Sequence, residues 1–189
     1  MYFGILFFCI FGIIVANLAV NLSWAMALNL LLGFVIILLP SLFCAIIIRI
    51  LPKKWFNYNN KIYNVGEKER QFLLKIGIKK WKDKIPELGQ TVNFKKNKLI
   101  DANNPSYLEK FLTETCYAES LHISCVVCAL IGMFFVPGGN FWNIAFPIAF
   151  VYSVYNIPSI LIQRYNRPRL KVQLKCLTKN YNNDIINRV

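Results

Sequence analysis

The sequence predicts an all-α integral membrane protein: four transmembrane helices in two hairpins, with a basic cytoplasmic helical insertion between the hairpins. Three observations predict it. The 189 residues are 56% hydrophobic with a mean hydropathy of +0.43, yet the formal net charge is +13. That pairing conflicts for a soluble domain and suits a membrane protein. The charges are also segregated. Residues 1–48 and 120–163 contain no Asp, Glu, Lys or Arg, whereas residues 49–119 hold 15 of the 22 basic and 8 of the 9 acidic residues. Finally, the uncharged stretches divide into runs of span length, since a bilayer core takes about 20 apolar residues per helix.

The expected spans are 2–20, 24–48, 121–136 and 141–162 of a single membrane domain, residues 1–189. Asn21-Leu22-Ser23 and Pro137-Gly138-Gly139-Asn140 separate the members of each pair. Links so short join antiparallel helices, and the second is a strong turn signal. The basic segment 52–118 and the tail 164–189 should be cytoplasmic by the positive-inside rule, which places both termini there too, in the cell membrane. No Lys or Arg precedes the first apolar run, so a cleaved signal peptide is not expected. The six cysteines form no disulfide framework: Cys9, Cys44, Cys125 and Cys128 lie in expected spans, and Cys116 and Cys176 on the reducing side. Cys125 and Cys128 read as small packing residues.

In the insertion, Phe72-Leu73-Leu74, Ile76, Ile78 and Trp81 alternate with Lys75, Lys79, Lys80, Lys82 and Lys84, as in a basic interfacial helix. Pro86 and Gly89 should end it. Ser106 and Glu109 form a capping-box pattern for a helix from Tyr107 that can continue into the third span. The tail from Asn180 is polar and expected to fray.

Two constellations carry chemistry. Glu119 precedes His122, the one histidine, by three residues and so shares a helix face with it; Thr115 adds a polar group one turn earlier. Ionisable groups this deep cost about 2–3 kcal/mol and should face the bundle interior. They could form a packing hydrogen bond, or a dyad in which Glu119 orients His122 to take a proton from an alcohol. One His and one Glu are too few for zinc, and no metal is expected. The second constellation is Gln163-Arg164-Tyr165-Asn166-Arg167-Pro168-Arg169-Leu170, at the end of the fourth span. Pro168 should end the helix at or before Arg167. Three guanidinium groups there suit either anionic lipid headgroups or a clamp for phosphate or carboxylate. Asn156 adds a polar group to the fourth span, and Pro158 should kink it and free a carbonyl. The hairpin brings both constellations to similar depth on the cytoplasmic side.

Glu119-x-x-His122, Asn156-x-Pro158 and the octapeptide Gln163–Leu170, in this order and spacing, resemble the glycosyl-4,4'-diaponeurosporenoate acyltransferase family. Arg49-Ile50-Leu51-Pro52, Trp55-Phe56, Lys80-Trp81-Lys82 and Ile85 extend the resemblance, which covers roughly residues 45–172. Two features depart from a shorter member: the first span is an extra N-terminal helix, and Asp83 replaces a basic or His-like residue. The resemblance implies a membrane enzyme that esterifies the sugar of a glycosylated carotenoid, or a related glycolipid, with a fatty acyl group. The expected partners are membrane lipids, the glycoside acceptor and an acyl thioester donor, acyl-CoA or acyl carrier protein. No further cofactor and no nucleic acid are expected. Our role assignments are His122 as base and Glu119 as its orienting group. Arg164, Arg167 and Arg169 would hold donor phosphates or the oxyanion, with Gln163, Tyr165, Asn166 and Asn156 lining the site. Lys80, Trp81 and Lys82 would hold a headgroup or carrier. A non-catalytic membrane scaffold, or a small transporter, is the competing reading.

Overall fold

The computed structural model describes residues 12, 15–16, 24–85, 101, 103–139 and 141–186, excepting the side chains of 180–186. Every element among them is helical. In chain order these are α1 (Trp24–Ile50), 3-10 turns at Lys53–Phe56 and Lys61–Tyr63, α2 (Glu67–Lys75), α3 (Ile78–Trp81), a 3-10 turn at Lys82–Lys84, α4 (Pro105–Gly132), a 3-10 turn at Met133–Phe135, a π turn at Phe141–Ala145, and α5 (Phe146–Ile186). Three stretches, Trp24–Ile50, Pro105–Phe135 and Phe141–Lys179, are long and apolar enough to cross a membrane. They include the expected second and fourth spans and all of the third except Val136. The expected first span, 2–20, lies outside the described residues apart from Gly12, Val15 and Ala16.

The chain divides into two compact units. One comprises the described part of Met1–Leu51 with Ser120–Ile160. Its core joins Met26, Leu30 and Ile37 of α1 to Ala129 of α4 and to Ile144, Ile148 and Ala149. The opposite face of α1 leaves Leu31, Val35, Leu39, Leu42, Phe43, Ile46 and Ile47 exposed. A continuous apolar face of this size would aggregate in water and is satisfied by lipid. Small residues let the helices approach, as membrane helices require when no hydrophobic driving force joins them. A Cβ on Gly132 would lie 3.0 Å from the Ile36 carbonyl oxygen and 3.3 Å from Ile37 Cα. Backbone cannot yield, so Gly132→Val should cost about 1–3 kcal/mol of stability. At Gly33 the nearest atom is the Ile144 side-chain Cγ2, also at 3.0 Å, and Gly33→Ala should cost less. Thermal unfolding in detergent checks the order; indistinguishable melting temperatures for the two variants would sink this account of the packing. The predicted turn is present: Gly138 and Gly139 hold φ of 82° and 66°, the left-handed region that glycine enters without steric cost.

The second unit comprises the described part of Pro52–Glu119 with Leu161–Val189. Leu108, Phe111 and Leu112 of α4 pack on Leu170 and Leu174 of α5. Leu73 and Ile78 pack on Ile162 and Tyr165. Phe56 stacks on Tyr117 with ring centroids 4.2 Å apart.

Four local expectations are corrected here. The interfacial helix begins earlier, at Glu67, and is broken in two by Gly77, whose φ of 68° ends one helix and starts the next. The cap of α4 is not Ser106 but Asn104, whose Oδ1 accepts the N–H groups of Ser106 (3.0 Å) and Tyr107 (3.3 Å). Pro105 takes the first helical position, where its missing N–H costs nothing. Pro168 does not end its helix: α5 continues through Pro158 and Pro168 to Ile186. Each proline forfeits one backbone hydrogen bond, but past Pro168 the packing of Leu170 and Leu174 and the bonds of Arg167 hold the helical path. The helix also runs past Asn180, as far as Ile186.

Candidate active site

Within the first unit, α4 presents His122 and α5 presents Asn156. His122 is half-buried and Asn156 is buried. His122 Nδ1 lies 2.8 Å from Asn156 Oδ1. Asn156 Nδ2 donates to the Tyr152 carbonyl at 2.8 Å, one turn back on the same helix. That second bond orients the amide, so the atom facing the imidazole is an acceptor. Nδ1 must therefore carry the proton, and in the neutral ring Nε2 holds the lone pair. In that tautomer Nε2 is the ring nitrogen that can accept a proton, the property a general base requires.

Within the second unit, the octapeptide lies on α5 and packs its arginines into an ionic network. Glu119, on α4, is almost fully buried at 1% exposure and receives two guanidinium groups. Arg164 Nη1 donates to Oε1 at 2.6 Å, and Arg167 Nη2 makes an ionic contact with Oε2 at 2.6 Å. Arg164 also grips Glu69 of α2 with a fork: Nε meets Oε1, and Nη2 meets Oε2 at 2.9 Å. Its remaining donors reach the carbonyls of Ile62 and Asn64, both at 3.2 Å. All five N–H donors of Arg164 are thus engaged. Arg167, 1% exposed, donates to Thr115 Oγ1 (3.1 Å), the Tyr63 carbonyl (3.0 Å) and the Thr115 carbonyl (3.1 Å), with the Tyr63 ring 5.1 Å away. Two arginines and two glutamates cancel in charge. Such a network tolerates burial only because nearly every donor is satisfied.

The other expected site residues fall in varied places. Arg169 is exposed, its guanidinium 5.8 Å from the Tyr165 ring. Tyr165 is buried, while Gln163 and Asn166 are half-buried. Trp81 Nε1 donates to the Ile76 carbonyl at 3.1 Å, which holds the indole in the fold. Lys82 pairs with Asp83 at 2.8 Å, and Lys80 is exposed. Glu119 was expected to orient His122; its oxygens go to Arg164 and Arg167, and the orienting contact shown for His122 comes from Asn156. Glu69, Tyr63 and the Ile62 and Asn64 carbonyls were missed. Only Glu69 left a signal, as an acid in a strongly basic segment; carbonyls leave none.

Residues 52–175 match the family model described as glycosyl-4,4'-diaponeurosporenoate acyltransferase. Proteins of that description from two strains of Staphylococcus aureus are 30% identical to this chain over 135 and 133 residues, covering 68% of this chain and 78% of each relative. No solved structure matches. The matched region contains both constellations.

Proposed function

Because the chain belongs to the glycosyl-4,4'-diaponeurosporenoate acyltransferase family and is an acyltransferase, we propose that it esterifies a sugar hydroxyl of a carotenoid glycoside with a fatty acyl group from a thioester. The observation that carries the chemistry is the His122–Asn156 contact, which leaves Nε2 as the basic nitrogen. His122 Nε2 takes the hydroxyl proton as the sugar oxygen attacks the thioester carbonyl. The tetrahedral intermediate collapses with loss of the thiolate, and the imidazolium returns the proton to that sulfur. Asn156 holds the tautomer. Glu119, Arg164 and Arg167 brace the fold around the octapeptide instead of touching substrate. Apolar helices suit an acceptor with a long isoprenoid chain. Four spans in two hairpins, with both termini on the cytoplasmic side of the cell membrane, fit the charge distribution and would give a soluble thioester access to the basic segment.

The test is direct. Purified protein in lipid nanodiscs, given a labelled fatty acyl thioester and a carotenoid glycoside, should yield a labelled ester, and the aglycone should not be labelled. Cooperatively folded protein that makes no ester from either acyl-CoA or acyl carrier protein would end this reading.

A further inference from the structure

The second unit contains a half-open cleft of about 180 Å³, lined in part by Arg70, Lys79, Arg164 and Arg169 over an apolar floor that includes Leu73 and Pro168. Its cations come from three elements: Arg70 from α2, Lys79 from α3, and Arg164 and Arg169 from α5. They are not equivalent. Arg164 is committed to Glu69, Glu119 and two carbonyls, so it lends the cleft no hydrogen bond, and its charge is offset within the network. Arg169 is exposed, and its guanidinium lies near the Tyr165 ring. Lys79 is exposed as well. Among the described residues Arg70 makes a 3.4 Å surface pair with Glu67, both side chains more than 60% exposed. A pair of that kind is worth little and yields readily to a stronger anion.

We propose that this cleft binds the pyrophosphate of a nucleotide-linked acyl thioester, with Arg70, Lys79 and Arg169 as its donors. The inference rests on the thioester-donor reading above and assigns it a place. Three separated cations around a concavity match an anion with several charges and several acceptor oxygens, which two planar guanidinium forks recognise with directional bonds. A membrane surface asks for a spread of charge, as the exposed lysines 68, 75 and 80 already supply. Gly77 is essential to the arrangement, because its left-handed turn separates the helix bearing Arg70 from the one bearing Lys79.

The experiment uses the full chain in phosphatidylcholine nanodiscs, with CoA itself as the probe and inorganic pyrophosphate as competitor. CoA should bind, pyrophosphate should displace it, and Arg169→Gln and Lys79→Gln should each weaken binding roughly tenfold or more, the effect of losing a charge-assisted bond. Both residues are exposed, so the variants should melt as the parent does. Equal CoA affinity in parent and variants overturns the proposal. So does a cation-dependent preference for phosphatidylglycerol vesicles or for acyl carrier protein without CoA binding. The transfer assay separates the two readings. Ester made from acyl-CoA with an unchanged KM in both variants removes the cleft and leaves the acyltransferase reading standing. CoA binding lost in the variants, with no ester formed from any donor, keeps the cleft and removes the glycoside reading.

Discussion

His122→Ala should lower acyl-ester turnover by about 10²–10⁴-fold, the usual worth of a positioned general base. The protein should remain folded, because His122 is half-buried and the Asn156 amide oxygen that faces it can be resolvated. The companion variant is Asn156→Leu. It keeps the imidazole but removes the acceptor that holds the proton on Nδ1. The ring is then free to adopt the other tautomer and other orientations, so kcat should fall while KM for both substrates stays close to the parent value. Loss of an interaction made only in the transition state gives that pattern. The double variant should be no worse than His122→Ala alone, since Asn156 acts through the imidazole. Effects that multiply would mean that Asn156 serves the fold or the substrate independently. Parent-like turnover in His122→Ala would remove the histidine from the mechanism and leave its contact as a packing hydrogen bond.

The residues that sequence reasoning placed well are those whose burial is dictated by charge and periodicity. The apolar run beginning at Trp24 predicts α1 to within two residues at its end, Ile48 against Ile50. The double glycine at 138–139 predicts a turn that requires positive φ. The helix through Glu119 and His122 runs unbroken from Pro105 to Gly132, as the continuity expected from the basic segment into the third apolar run requires. Partner choice was less legible. From spacing alone a carboxylate three residues before a histidine looks like its partner, but in the fold two guanidinium groups reach it from another helix. Periodicity describes neighbours on one element only. The proline rule failed at Pro168 for a related reason: a local penalty was weighed without the tertiary contacts that follow it at Leu170 and Leu174. Gly77 was overlooked because the lysine-and-apolar pattern runs across it without interruption.

Glu119→Ala should cost stability before it costs chemistry. Both oxygens of this carboxylate meet guanidinium groups in a setting where Glu119 and Arg167 are each 1% exposed. Removing one member of a buried ionic network strands the others, at about 3–5 kcal/mol. A membrane domain of ordinary stability would then be largely unfolded or poorly expressed. Arg167→Lys should be nearly as damaging, because an ammonium cannot reach Thr115, the Tyr63 carbonyl and Glu119 from one plane. The discriminating set is Glu119→Gln, Arg167→Met and their combination, followed by thermal melting in detergent. If the residues act as a brace, each single variant melts well below the parent. The double variant then recovers part of the loss, since neither charge is left buried alone. Whatever protein survives should retain a parent-like kcat per folded molecule. A Glu119→Gln protein that melts with the parent but turns over a hundredfold more slowly would reverse the assignment. The carboxylate would then belong to the chemistry, and the arginines would serve to hold its charge in place.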